Sequence, residues 1–243
     1  MKRRKRRSRF ALYYVLLFVT VALLTVLFST GYEVSTQLQE YQAARSEYAD
    51  LREQFGIVTI PVPTPEGESE PDTDAEPEDA GNAEGIDFDA LRTLNPGIVG
   101  WLVVPGTGIS YPMVQGSNNS RYLHHTFLGV RNNSGAIFLD YRSAPDFTDA
   151  FTIVYGHNMQ DGSMFAPLHG WAGDHFIIHT PDRVMTFEVF DRQTVTAYDE
   201  LFQLRNAPAD NGVRVVMLST CVNGRPSMRY VIQAQLRDNL SQS

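Results

Sequence analysis

One cysteine occurs in 243 residues: Cys221, in "VVMLSTCVNGRPSMRYVIQAQL" (215–236), between two apolar runs. A thiol becomes a nucleophile when a nearby base or cation holds it as thiolate. Its partners must come from six histidines and the arginines. His124 and His125 are adjacent, so their side chains point different ways. His157 closes the apolar run "TIVYGH", where a buried strand would emerge, and turn-forming "NMQDGS" follows it. Gly156 before it would let another group approach closely. The spacing alone leaves a surface turn histidine as the other reading. Cys221 ends "VRVVMLST" in the same way, before the turn "VNGRPS", and two strand ends bearing Cys and His can converge from distant parts of a sequence. Arg229 opens the next strand eight residues on, and a hairpin would return it alongside Cys221. There a guanidinium either donates to an oxyanion or substrate carbonyl, or forms a rim salt bridge. Arg225 falls in the turn and reads as solvated. There is no HExxH, and one cysteine cannot complete a thiolate cluster, so neither a metal nor an organic cofactor is expected.

The elements that must position these residues form a β-rich region. Short apolar runs recur at 98–104, 109–114, 136–140, 151–156, 175–180, 184–197, 213–220 and 229–236, separated by Gly, Pro, Asn and Asp. "MTFEVFD" and "YVIQAQL" alternate with the period of two that marks half-buried strands. Only "SMFAPLHGWA" (163–172) and "DELFQLRNA" (199–207) read as helical there. About eight strands with few helices predict a mainly all-β closed barrel or sandwich over residues 86–243.

The preceding residues are unlike this region. "MKRRKRRSR" (1–9) holds seven Lys/Arg, and no residue from Phe10 to Tyr32 is charged. Residues 10–32 are long enough to cross a bilayer as a helix, longer than the apolar part of a cleaved signal. The basic cluster predicts a cytoplasmic amino terminus and an extracellular remainder. In an oxidising compartment a lone thiol is buried and inert, joined to another molecule, or reactive by design. Residues 33–57 read as a stalk helix with a thin apolar stripe, Val34, Tyr41, Ala44, Tyr48, Leu51 and Phe55. That stripe suits a free stalk, a helix lying on the following domain or a short coiled coil. Residues 58–85 are an acidic, Pro-rich linker, too poor in apolar groups to order itself. The net charge of −8 and a basic content concentrated in one tail exclude a nucleic-acid protein.

"MLSTC" followed by Arg229, with "IVYGHNMQDGSMFAPL", resembles the sortases, membrane-anchored cysteine transpeptidases of Gram-positive bacteria, and most closely class B. Stretches similar to "NPGIVGWLVVPGTGISYPMVQGSNNSRYLHH" and "SGAIFLDYR" extend the resemblance over about Asp87 to Leu236. It implies an eight-stranded sortase β-barrel with His157, Cys221 and Arg229 as the catalytic set. It implies attack of the thiolate on a sorting-signal peptide of an exported surface protein. Transfer then follows to an amine of a peptidoglycan precursor or of a pilin. Asn119, Leu123, Ser219 and Thr220 match substrate-groove positions. Met217 replaces the usual Thr and is expected to face the core. The connection from Val195 to the cysteine strand is shorter than class B enzymes usually have. A secreted cysteine protease that only hydrolyses, and a membrane-tethered scaffold with a core cysteine, are the competing expectations.

Overall fold

The computed structural model describes residues 2–55, 85–204 and 212–237, with side chains from residue 13 onward in the first stretch. Almost all of the acidic linker expected at 58–85 lies outside them. Two compact units are present, Met1–Ala43 and Ala44–Ser243. Helix α1 (Lys2–Gln54) supplies the first, and its last turns belong to the second.

Within the first unit, apolar side chains such as Phe18 and Phe28 are exposed, and the helix is long and apolar enough to cross a membrane. Its Ser and Thr hydroxyls between residues 20 and 30 are satisfied by its own backbone: Thr20 donates to the Leu16 and Leu17 carbonyls, Thr25 to Ala22, Ser29 and Thr30 to Val26. Helix α1 runs without interruption through residues 10–32 and on through residues 33–54.

In the second unit the stripe is split by burial. Val34 is exposed, whereas Ala44, Tyr48, Leu51 and Phe55 are buried, so residues 44–55 lie on the folded domain. Tyr48 donates its hydroxyl to the Gly135 carbonyl at 2.9 Å and accepts from the Phe127 N–H at 3.3 Å. Its ring meets Tyr111 edge-on.

Eight strands follow: β1 Ile98–Val103, β2 Ser110–Gln115, β3 Ile137–Leu139, β4 Phe151–Tyr155, β5 His175–His179, β6 Val184–Thr196, β7 Val215–Val222 and β8 Arg225–Leu236. They close into a barrel in the order β1-β2-β3-β4-β7-β8-β6-β5. Trp101, Leu102, Phe176, Phe187 and Ile232 are fully buried. Met217 is fully buried with Ile153, Val195 and Val231, as its departure from the family pattern requires.

Two neighbouring pairs, β2–β3 and β4–β7, are parallel; the rest are antiparallel. A parallel pair cannot be joined by a tight turn and needs a long crossover. Residues 116–136 make the first crossover, and the second leaves β4 at Gly156. Asn119, Leu123 and His157 all sit on these two connections.

Three local expectations are corrected. Helix α2, Phe88–Leu94, was not foreseen: its apolar face is only Phe88 and Leu91, and Asp87 caps it by accepting from the Ala90 N–H at 2.8 Å. The two segments read as helical hold single 3-10 turns, Ala166–Gly170 and Glu200–Gln203. Pro167 and Gly170 allow no longer helix in the first; residues 205–207 of the second lie outside the description. Finally, Cys221 and Arg229 do not stand at strand ends. The turn is only Asn223-Gly224, with Gly224 at φ 70°, so both residues lie inside a β7–β8 hairpin.

Candidate active site

Register brings the cysteine and arginine together. Cys221 pairs directly with Arg229 across β7–β8, and a bulge between Cys221 and Val222 absorbs the extra residues of β8. The Arg229 guanidinium is steadied from one side: Nη1 donates to the Pro226 carbonyl at 2.7 Å and to Met228 at 2.9 Å. Nε and Nη2 have no partner among the described residues. The Cys221 thiol is free and half-buried.

His157 reaches the same place by a different route. Beyond β4, Gly156 donates its N–H to the Ser219 carbonyl at 3.2 Å. A Cβ on Gly156 would lie 2.6 Å from both Ile137 Cδ1 and Phe165 Cδ2, so only glycine permits this path. The chain then doubles back, with the Phe165 N–H donating to the His157 carbonyl at 2.9 Å. The His157 ring is fixed by the first crossover, its Nε2 standing 2.8 Å from the Leu123 carbonyl. A carbonyl only accepts, so Nε2 carries the proton and Nδ1 of the neutral ring is the free base. Burial pushes the His157 pKa down. The Leu123 carbonyl opposes that shift, and the charges of His124 and Arg229 add to it. The neutral, proton-accepting imidazole is therefore favoured at neutral pH.

His157, Cys221 and Arg229 line one cavity of about 390 Å³. Asn119, Leu123, Ser219 and Thr220 line it too, so all seven residues singled out from the sequence are brought together. Their conditions differ. Ser219 and Thr220 are buried, and their hydroxyls have no hydrogen-bond partner among the described residues. Asn119 is committed to the protein. Its Nδ2 donates to Asp140 Oδ2 at 2.9 Å, and its Oδ1 accepts from the Tyr141 N–H at 3.0 Å. Leu123 contributes its side chain to the wall and its carbonyl to His157. Tyr198 and Phe202, on the connection after β6, complete the lining on the far side.

Asp140 escaped the sequence reading. It is fully buried and gathers Arg142, Asn119 and Tyr155 around one carboxylate. An acid closing the apolar run "AIFLD" was the available signal. Asn158, discussed below, was hidden among turn residues and had none. Among the described residues no three His, Cys, Asp or Glu side chains converge.

Comparison with known proteins agrees with this geometry. A family model described as "Sortase domain" matches residues 102–237. The chain belongs to the sortase family. Sortases are cysteine transpeptidases, and the relatives of this one are class B. It is 33% identical over 177 residues to Sortase B of Listeria monocytogenes, a match covering 60% of this chain and 72% of that protein. Among solved structures, Clostridium perfringens sortase B is similar at 27% identity and a TM-score of 0.55, covering 63% of this sortase and 100% of that chain. A class B sortase of Streptococcus pyogenes involved in pilus biogenesis is similar at 28% identity and a TM-score of 0.55, covering 62% and 98%. The closed eight-stranded barrel is the sortase fold.

Proposed function

We propose that this sortase is a single-pass membrane enzyme that cleaves the C-terminal sorting signal of exported proteins and joins them to an amine of a peptidoglycan precursor. The apolar stretch Phe10–Tyr32 behind a basic tail supports a membrane anchor with a cytoplasmic amino terminus and an extracellular catalytic unit.

In this reading neutral His157 takes the proton of the Cys221 thiol, and the thiolate attacks a backbone carbonyl carbon of the signal. Arg229, through Nε and Nη2, donates to the oxyanion that forms. The C–N bond breaks as the protonated His157 gives its proton to the leaving amine, and a thioester remains on Cys221. The incoming amine then loses a proton to neutral His157 as it attacks the thioester, releasing the thiolate. Ser219 and Thr220, with Asn119 and Leu123, form the groove wall. The observation that carries the reading is the direct pairing of Cys221 with Arg229 on the wall of a cavity that His157 also lines.

The test uses full-length protein in detergent with a panel of sorting-signal peptides and an added amine, oligoglycine or a diaminopimelate-containing peptide. Amide products that disappear in Cys221→Ala, His157→Ala and Arg229→Ala are expected. Full transfer by Cys221→Ala refutes the mechanism, and pure hydrolysis at saturating amine marks a protease instead. A second reading, with a pilin as the amine donor, is favoured by the similarity to the pilus-biogenesis sortase; a pilin lysine peptide in the same assay separates the two.

A further inference from the structure

The β4–β7 ladder ends at the pair Tyr155 and Ser219, and its last backbone bond runs from the Gly156 N–H to the Ser219 carbonyl. In a parallel ladder the next rung would join the N–H of residue 158 to the carbonyl of residue 221. The backbone of Asn158 does not form it, because the chain has turned there into an antiparallel bridge with Met164, held by the Phe165 N–H on the His157 carbonyl. The Asn158 side chain takes its place: Nδ2 donates to the Cys221 carbonyl at 2.9 Å. Only the amide group can donate and only the carbonyl can accept, so the direction of this bond is fixed.

A second group converges on that carbonyl. His169 Nε2 lies 3.1 Å from the Cys221 oxygen and 3.0 Å from Asn158 Nδ2. Its ring is stacked on Tyr230 at 4.7 Å, and Tyr230 is the cross-strand partner of Thr220. Asn158 Nδ2 carries two protons and only donates, so one goes to the Cys221 carbonyl and the other to His169 Nε2 as acceptor. The ring stack fixes the imidazole whichever tautomer it adopts.

We propose that Asn158 is a positioning residue for the reaction: its side-chain amide continues the ladder by one rung and sets the Cys221 thiol relative to the His157 imidazole, with His169 holding the amide in place. The inference rests on the reading of Cys221 and His157 as nucleophile and base. It explains why the residue after the histidine touches the cysteine's backbone and not its thiol. Among the described residues, no backbone hydrogen bond beyond Ser219 ties β7 to the histidine loop. Without Asn158 the relative placement of thiol and imidazole would rest on the Leu123 carbonyl and on packing.

The test is the pH profile of Cys221 alkylation by iodoacetamide in full-length protein in detergent, which needs no knowledge of the natural peptide. The ionisable side chains lining the pocket with Cys221 are Tyr155, His157, Tyr198 and Arg229, and His169 reaches its carbonyl. His157→Ala is the reference for a thiol that has lost its imidazole. Asn158→Ala and the isosteric Asn158→Asp are expected to slow alkylation at pH 7 by about fivefold to tenfold, the scale of one neutral hydrogen bond. Their profiles should move toward that of His157→Ala while cooperative unfolding is retained. If Asn158→Ala does not fold, the Asp variant decides, since it keeps the shape and loses the donor. Wild-type profiles in the Asn158 variants, with an altered one in His157→Ala, overturn the positioning role alone. An unaltered profile in His157→Ala overturns the cysteine–histidine reading beneath it. A larger loss for His169→Phe, which keeps the ring stack, than for Asn158→Ala overturns the assignment to Asn158.

Discussion

Replacing Asp140 with Asn tests how far the pocket depends on one buried charge. Asp140 Oδ1 accepts from the Arg142 N–H at 3.0 Å and from Arg142 Nε at 3.1 Å; Oδ2 accepts from Asn119 Nδ2 at 2.9 Å and from the Tyr155 hydroxyl at 3.1 Å. An amide of the same shape offers one oxygen in place of two. If that oxygen faces Arg142, the new NH₂ group faces Asn119 Nδ2. The Tyr155 hydroxyl can rotate to accept, but the Asn119 amide cannot turn without losing the Tyr141 N–H. One donor is stranded in either orientation, and the charge-assisted character of the Arg142 bonds is lost. Breaking a fully buried ion pair costs about 3–5 kcal/mol. Arg142 is partly solvated, with a side chain 35% exposed, so about 2–4 kcal/mol is the expected loss. At 3 kcal/mol the fall in Tm is roughly 6–12 °C for a domain of this size.

The same carboxylate gives the prediction a pH signature. Burial alone would push the Asp140 pKa up. Hydrogen bonds from the Arg142 side chain and backbone and from Asn119, with the Arg142 charge, outweigh burial and hold it below the usual carboxylate range. A folded-state pKa below the unfolded one means that stabilisation is complete above about pH 4–5 and is lost as pH falls through the folded value. The Asn variant has no such titration. The stability gap between wild type and Asp140→Asn, measured by urea unfolding, should be constant from pH 7 to about pH 5 and shrink below about pH 4. A gap under about 0.5 kcal/mol at pH 7, or one unchanged at pH 3, refutes the argument from a buried charge.

Three further outcomes follow from single contacts. Tyr48→Phe strands the Gly135 carbonyl and the Phe127 N–H and should cost about 1–3 kcal/mol in urea unfolding; a neutral result would mean that the end of α1 contributes nothing to the barrel. Gly156→Ala drives a Cβ into fully buried Phe165, with an expected loss of about 1–3 kcal/mol and a larger relative loss of transfer activity, because Phe165 also holds the His157 carbonyl. Arg229→Gln removes a charge that depresses His157, so an NMR titration of the imidazole should move to higher pH; an unchanged or lower midpoint would contradict that coupling.

All eight strands were legible as apolar runs because barrel strands bury at least one face and turns between them need Gly, Asn, Asp or Pro. The Cys221–Arg229 pairing was legible for the same reason, since an Asn-Gly turn makes register a local property. What stayed hidden has physical causes. Helix α2 has too short an apolar face to show a period, and its capping residue Asp87 is one acid among many. The hairpin was read as ending at Cys221 because "RPS" looks like turn chemistry, yet the bulge lets Pro226 and Ser227 remain in β8. Asn119 was assigned to the groove by resemblance, and only coordinates reveal that its amide is consumed by Asp140 and Tyr141. Asn158 carries no pattern of its own, since a side chain standing in for a backbone rung depends on where two distant segments end.

The topology separates the site into a part fixed locally and a part fixed at long range. Cysteine and arginine share an antiparallel hairpin, so their spacing follows from a two-residue turn and the bulge beside it, both local. Histidine and cysteine sit on a parallel pair, whose members must be joined by a crossover that carries no register information. The first crossover returns to β3 beside the exit of β4, as the pairing of Phe138 with Tyr155 requires, and this brings the Leu123 carbonyl within 2.8 Å of the His157 ring. The two crossovers therefore position each other, and Tyr48 from α1 holds the first through Gly135 and Phe127. Changes in α1, Asp140 or the first crossover should consequently alter the reactivity of His157 toward Cys221 before they alter the Cys221–Arg229 register. The barrel supplies the nucleophile and its oxyanion donor as a rigid unit, and the loops and their side-chain bonds decide whether the base meets it.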